Sequence, residues 1–242
     1  MPLTSLIVVN WDGLHHLAPC IDSIRRHTEP PFELIVVDNG STDGSVRWLH
    51  ETEDDNTIFN PENMGWTHAV NQGLRRSRGD FVVMMNNDLL VTGGWSKSLT
   101  LPLIDNPGLS GPMSGGVSGR QYLPTLSSGI PEELERLAEL NAETHRGEYF
   151  AYPRLVGFCL MASREVIDEV GGLDERFASG GFDDDDFCVR AQLAGYPAYI
   201  VMEAYVHHAF NATFREHGID GGSEMMKNWA IFKQKWGLDP AL

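Results

Sequence analysis

An α/β fold, with a mostly parallel central sheet flanked by helices, is predicted by three observations. Short apolar segments alternate with helical stretches through the first hundred residues, the order of parallel strands joined by right-handed crossovers. Two of those segments end in polar clusters. Residues 34–37 run into Asp38-Asn39-Gly40-Ser41-Thr42-Asp43, and residues 81–85 into Asn86-Asn87-Asp88. Ligands of open α/β sheets bind outside the carboxyl ends of the strands, so acids and amides delivered there describe a polar-ligand site. Finally, 242 residues with 42% hydrophobic content suffice for a substantial core, and one domain over 1–242 is expected.

The elements follow in order. Residues 6–9 form a buried strand that breaks at Asn10-Trp11-Asp12-Gly13. Leu17, Ile21 and Ile24 then recur at helical spacing, until Pro30-Pro31 ends the helix. After the strand 34–37, residues 41–43 are placed to cap a helix through Val46 and Leu49. A short strand at 57–59 precedes a helix over 66–76, and Gly79-Asp80 turns into the strand 81–85.

The second half differs. Residues 106–129 are rich in Gly, Ser and Pro and predict a flexible loop or an irregular strand pair. A helix over 131–142 opens on Glu132 and Glu133, which suit its N-terminus. Residues 156–162 form an apolar strand. Ser163 caps the next helix, which ends at Gly171-Gly172. A strand-like segment at 198–206 leads to His207-His208, and 225–236 is an amphipathic helix.

Composition narrows the function. Thirty-four acids against 18 bases give a net charge of −16, the opposite of the basic stripe of a nucleic-acid binder. Cys20, Cys159 and Cys188 are widely spaced and odd in number, which fits unpaired thiols in a reducing compartment. The N-terminus lacks the basic region of a signal peptide, and no segment approaches the roughly 20 apolar residues that span a bilayer. A soluble, cytoplasmic protein is expected, with peripheral work at a membrane surface left open.

Four blocks in sequence carry a specific resemblance. They are residues 36–45; Asn63-Met64-Gly65-Trp66 with Ala69-Val70-Asn71-Gln72-Gly73 and Gly79-Asp80; Asn86-Asn87-Asp88 with Gly94-Trp95; and Gly171-Gly172-Leu173-Asp174-Glu175-Arg176-Phe177 with residues 183–190. From about Ser5 to Gly237 the chain resembles the family-2 inverting glycosyltransferases of GT-A fold, a Rossmann-like architecture for nucleotide-diphospho-sugar transfer. The resemblance implies a nucleotide-sugar-binding half at 1–100 and an acceptor-binding, catalytic half at 101–242. It also implies a UDP- or dTDP-sugar donor, and a glycan, lipid-linked or other hydroxyl acceptor contacted by residues 110–155.

The residue roles it implies begin with the donor. Asp38 accepts from the imide N–H of a uracil or thymine ring; the competing reading, that Asp38 and Asp43 only cap turns and helices, is assigned to Asp43. Asn10 and Trp11 border the base, although Trp11 is equally readable as a core aromatic. Asn63, Gly65 and Asn87 complete the nucleotide site. Asp88 stands in the family's metal position, where Mn²⁺ or Mg²⁺ often takes only one or two protein ligands. The usual acid-any-acid motif appears here as Asn86-Asn87-Asp88, with one certain carboxylate. His207 or His208 completes the metal site. Neighbours on a strand point to opposite faces, so only one can serve, and His208 is favoured over His207; a purely structural histidine is the competing reading.

An acid run is usually a solvated face. Asp183 to Asp186, however, lie between Phe182 and Phe187, where desolvation among like charges raises a carboxylate's pKa towards that of a useful base. In the family register Asp184 is the base and Asp183 its nearest rival. Asp186 pairs with Arg190 at helical spacing or holds the acceptor, and Asp185 lies off the site. Residues 111–119 are the expected lid. Two rivals remain: a nucleotidyltransferase, which should show a Gly-rich basic loop after the first strand, and a non-catalytic sugar- or nucleotide-binding module.

Overall fold

The computed structural model describes residues 2–52, 56–124, 130–209 and 220–237. Strand β1 (Thr4–Asn10) is buried along its whole length and pairs in parallel with β2 (Phe32–Asp38) and β4 (Phe81–Asn86), while β3 (Thr57–Phe59) extends β2. Such strands, covered on both faces, need near-continuous apolar sequence, and Leu6-Ile7-Val8-Val9 supplies it. Alternation then divides the core. Leu6 and Val8 face Leu17, Ile21 and Ile24 of α1 (Leu14–His27), whereas Ile7 and Val9 face Ala69, Val70 and Leu74 of α3 (Trp66–Arg76).

Helix α2 (Ser45–Glu51) starts later than the cluster 41–43 suggested. Asp43 nevertheless does the capping: Oδ1 accepts from the Ser45 N–H at 3.0 Å, and Oδ2 from the Leu14 N–H at 2.8 Å. One carboxylate therefore serves the starts of α2 and α1.

Beyond β4 the sheet becomes mixed. It gains β5 (Leu89–Val91), β6 (Leu109–Met113), β7 (Tyr149–Ala151), β8 (Cys159–Ser163) and β9 (Ala198–His208), in the order β3-β2-β1-β4-β8-β6-β9-β5 with β7 on β9. β8 runs antiparallel to β4, with Met85 opposite Cys159, so its first residues lie at the carboxyl edge of β4. Helices α4 (Trp95–Thr100), α5 (Pro131–Thr144), α6 (Arg164–Val170), α7 (Asp183–Leu193) and α8 (Gly221–Trp236) complete the fold. None of the described helices is long and apolar enough to cross a membrane. The three cysteines are buried and unpaired.

Two expectations are corrected, and the described part of the tract 106–129 takes the second of its two readings, an irregular strand rather than a flexible loop. The Gly/Ser/Pro-rich tract contains β6, buried between β8 and β9. Its small residues answer crowding rather than mobility: a side chain at Gly111 would come 2.7 Å from the Gln121 amide, and Ser110 Oγ donates to the Leu99 carbonyl at 2.8 Å. The proposed lid at 111–119 consequently begins inside the core, and at Gly116 a Cβ would lie 2.1 Å from the His208 carbonyl oxygen. Ser163 does stand at the start of α6, yet its hydroxyl accepts the Gly108 N–H at 3.1 Å rather than capping the helix.

Candidate functional site

At the carboxyl edge of β1, β2 and β4 the chain builds a network of amides. Asn10 is fully buried. Its Nδ2 donates to Asp38 Oδ2 at 3.0 Å and to Ser41 Oγ at 3.2 Å, and its Oδ1 accepts from Asn87 Nδ2 at 2.7 Å. Asp38, also 0% exposed, takes the Ser41 N–H on Oδ1 at 2.9 Å. Both of its oxygens are engaged. Asn39, which the sequence reading passed over, is the hub of the adjoining loop. It donates to Asn63 Oδ1 at 2.8 Å and accepts from the Met64 N–H and Asn60 Nδ2, each at 3.0 Å. Asn63 stays exposed. A Cβ on Gly65 would sit 2.7 Å from the Ala178 carbonyl oxygen, so the loop before α3 lies directly against the segment leading to α7. Trp11 is half-buried in the turn after β1.

Asp88 and His208 meet where the chain leaves β4 and enters β5. β5 pairs antiparallel with β9, and Asp88 Oδ1 lies 3.2 Å from His208 Nε2, with both side chains buried. That carboxylate oxygen makes no hydrogen bond. A buried acceptor left unsatisfied is costly, and an imidazole nitrogen beside it gives a donor set that suits a hard divalent cation. Among the described residues no third His, Cys, Asp or Glu joins them, so bound phosphate and water would complete the coordination. His208 is oriented from behind: its Nδ1 lies 2.8 Å from the Gly116 carbonyl oxygen, and its ring stacks on Phe158 at 5.2 Å. Burial pushes the Asp88 carboxyl up, but His208 and the charge of His16 outweigh it and leave the group below its ordinary value. His207, its strand neighbour, is only half-buried, and alternation turns it to the other face.

His16 was not anticipated. The residues 13, 16, 20 and 23 form one stripe along α1. Gly13 packs on the Asn87 side chain, Cys20 Sγ lies 3.9 Å from the Asn86 carbonyl oxygen, and Ser23 Oγ accepts the Val91 N–H at 3.1 Å. Helical spacing alone could have found it.

The second cluster opens α7. Gly180 and Gly181, each at φ +90°, and Phe182 at φ +65° turn the chain so that four acids occupy the first helical turn, where the helix dipole favours negative charge. Asp183 accepts from Trp66 Nε1 at 2.9 Å and from the Gly181 N–H at 2.6 Å. Asp184 accepts from the Gly157 N–H at 2.8 Å, just before β8. Together with Trp66, Met84, Gly157, Leu160 and Leu173 the two acids line one cleft. Burial in that largely apolar setting pushes Asp183 up to about 6 and, with the neighbouring Asp185 and Asp183 charges, Asp184 up to about 7.

The other two acids point elsewhere. Asp186 is 0% exposed and holds Arg190 Nε at 2.9 Å, the helical pair the spacing predicts. Asp185 was expected to stand apart; instead it is buried and paired with Arg154 Nε at 2.5 Å, directly beside Asp184. Trp66 belongs to a motif already singled out, whereas nothing in the sequence marked Arg154 or Gly157.

The family model described as "Glycosyl transferase family 2" matches residues 5–171, and one described as "N-terminal domain of galactosyltransferase" matches residues 140–212. An uncharacterized protein of Sinorhizobium fredii is 29% identical over 88% of this chain, which spans 25% of that protein. Uncharacterized mycobacterial proteins are 28% identical, and the chain spans 58% of their length. The N-acetylglucosaminyl-diphospho-decaprenol L-rhamnosyltransferase of Mycobacterium tuberculosis is 26% identical over 87% of this chain and 78% of that protein. Two solved structures share the fold. GalNAc-T7 with UDP, GalNAc and Mn²⁺ has a TM-score of 0.69 at 16% identity, covering 86% of this chain and 44% of that one. The mannosyltransferase PcManGT of Pyrobaculum calidifontis with GDP-Man and Mn²⁺ has a TM-score of 0.62 at 22% identity, covering 86% and 57%.

Proposed function

The chain belongs to glycosyl transferase family 2, with the GT-A fold, and from that premise we propose that it is an inverting transferase moving a sugar from a nucleoside-diphosphate sugar to an acceptor hydroxyl. The observation that carries this reading is the Asp183–Asp184 pair, whose carboxyls line one pocket and are pushed above the ordinary carboxylate range by burial. A general base works best when its pKa lies near the operating pH.

Asp184 takes the proton of the acceptor hydroxyl. The oxygen forms its bond to the anomeric carbon as the bond to the diphosphate oxygen breaks, and that electron pair leaves with the nucleoside diphosphate. One displacement inverts the anomeric centre, without the covalent intermediate of retaining glycoside hydrolysis. Asp88 with His208 would hold Mn²⁺ or Mg²⁺, which supplies Lewis-acid stabilisation of the charge on the departing diphosphate. The rhamnosyltransferase relative and the Mn²⁺-bound neighbours support that reading.

Residues 1–100 form the donor half and 101–242 the acceptor half of one domain. A pyrimidine donor, UDP- or dTDP-sugar, rests on the resemblance at Asp38. Because Asp38 is fully buried against Asn10 and Ser41, its contact to an imide N–H requires the Asn10 amide to turn away. Asn10, Trp11, Asn63, Gly65 and Asn87 then frame the nucleotide. A glycan, lipid-linked or other hydroxyl acceptor enters from the side of residues 110–155. Three buried thiols support a reducing, cytoplasmic setting.

Calorimetry with UDP, dTDP and GDP in the presence of Mn²⁺ tests the donor, and clear preference for GDP removes the pyrimidine reading. The anomeric configuration of the product, followed by NMR from a donor that turns over, tests the stereochemistry; retention overturns the single displacement.

A further inference from the structure

Asp186 is fully buried, and a buried carboxylate is tolerated only when paired and hydrogen-bonded. Arg190, on its own helix, satisfies Oδ2. Its Oδ1 is satisfied from outside: Lys235 Nζ lies at 2.6 Å and Trp236 Nε1 at 2.9 Å. Both belong to the last turn of α8, which lies beyond the residues that either family model matches.

Lys235 does more than neutralise Asp186. The same ammonium reaches Asp174 Oδ2 at 2.7 Å. Arg176 foremost, and Lys235 after it, hold the Asp174 carboxyl well below the usual carboxylate range. Asp174 and Asp186 are the two ends of the segment that contains Asp183 and Asp184, and Lys235 staples them together. Between those ends α8 grips the segment again. Asn228 Nδ2 donates to the Phe177 carbonyl at 3.1 Å and the Gly180 carbonyl at 2.8 Å, and Ser179 Oγ donates to Glu224 Oε2 at 3.0 Å. The gripped backbone is the one with three successive positive φ values, the last at a phenylalanine. A non-glycine residue in that region persists only where its surroundings over-determine it.

We propose that α8 is a clamp on the acid run, and that Lys235 and Trp236 are positioning residues acting through Asp186 to aim Asp184 at the acceptor hydroxyl. The proposal rests on the reading of Asp184 as the base. Among the described residues their bonds go to Asp174 and Asp186 rather than to the donor edge, so they govern the rate of the chemical step and leave nucleotide binding alone. A residue that only stabilises the fold would give no such separation.

The test is steady-state transfer by the full chain carrying Trp236→Phe, which removes one N–H and keeps an aromatic ring, or Lys235→Met, with Lys235→Arg and Asp184→Asn in parallel. Calorimetry with UDP and Mn²⁺ and circular dichroism accompany each variant. Misplacing a reacting group by about 1 Å costs up to roughly a hundredfold. Trp236→Phe is expected to lower kcat about tenfold and Lys235→Met up to about a hundredfold, with donor KM and UDP affinity changed less than about twofold and the fold intact. Lys235→Arg restores most of the rate, because a guanidinium can still bridge Asp174 and Asp186. Wild-type kcat in both variants overturns the clamp, as does a loss of rate seen only together with unfolding. If Asp184→Asn is inactive while the clamp variants are normal, the clamp alone fails. If Asp184→Asn retains its rate, the base assignment fails and takes the clamp's purpose with it.

Discussion

The carboxylates on the two sides of this site are chemically identical and electrostatically opposite. On the donor side, burial would raise Asp43 and Asp88, but backbone N–H groups around Asp43 and the histidines around Asp88 bring both below their ordinary values. At the start of α7, burial against an apolar wall pushes Asp183 and Asp184 up, helped by the Asp185 charge beside both and the Asp183 charge beside Asp184. The difference teaches which acid can do what. A carboxylate held down stays an anion at every working pH and suits a cation, whereas one pushed to about 7 can take up a proton and lose it again. Environments that drive like groups apart are how one fold assigns acid–base roles.

The largest expected effect removes the acceptor-side carboxylate. Asp184→Asn should lower transfer by roughly two to four orders of magnitude, with nucleotide affinity by calorimetry unchanged. Near wild-type transfer in that variant, with Asp183→Asn inactive, moves the base by one residue. Next comes the donor side. Asp88→Ala or excess EDTA should reduce turnover on the order of a hundredfold, since even outer-shell partners of a metal ligand are worth about 10- to 100-fold; full activity in EDTA removes the metal from the reaction.

The pH profile sharpens the contrast. Only ionised Asp184 can accept a proton, so the rate should climb about tenfold per pH unit up to about 7 and then level off. A profile flat between pH 5 and 8 contradicts this. The sign for stability is the reverse. Between the ordinary value and the raised one the native state binds more protons than the unfolded chain, so stability falls as pH rises from about 4 to about 7 and is fully present below that window. Asp184→Asn, which has nothing to ionise, should therefore melt above wild type at pH 8, with the gap narrowing at pH 5 and closing below about 4. Smallest is the histidine pair: His208→Ala should weaken Mn²⁺ binding about tenfold, and His207→Ala should barely change it. Calorimetry with Mn²⁺ alone reads both.

The parallel half was legible because its signals are local. Runs of Val and Ile, turn residues at strand ends and Asp43 as a cap need only near neighbours to explain them. Strand parity allowed only one of His207 and His208 to stand beside Asp88, and helical spacing found Asp186 with Arg190. What escaped was joined over long stretches of chain: Trp66 with Asp183 across 117 residues, Arg154 with Asp185 across 31, Trp236 with Asp186 across 50. β6 was legible only as one of two readings. Ser110-Gly111-Pro112 is poor strand sequence, and only the close approach of Gln121 and Leu155 makes small residues necessary there. Burial can likewise be read the wrong way: Asp38 is so well provided with partners that the structure gives it a loop to hold before any ligand arrives.

The antiparallel direction of β8 has a consequence for how such a protein can be remodelled. A parallel strand presents the loop that follows it to the ligand edge; β8 presents the loop that precedes it, and the Phe158 carbonyl accepts the Asn86 N–H at 3.0 Å there. Arg154 and Gly157, both in that preceding loop, are the residues that reach the acid run. Within the stretch from β7 to β8, Phe158 is tied to Asn86 and His208 and Leu155 is buried in the core, so residues 152–154 are the part that can be exchanged without disturbing either. A chimera that replaces residues 152–154 should change which acceptors are used while calorimetry with UDP and Mn²⁺ stays constant. At its far end β8 passes directly into α6, with the Gly108 N–H sealed on Ser163, and leaves no loop there to vary.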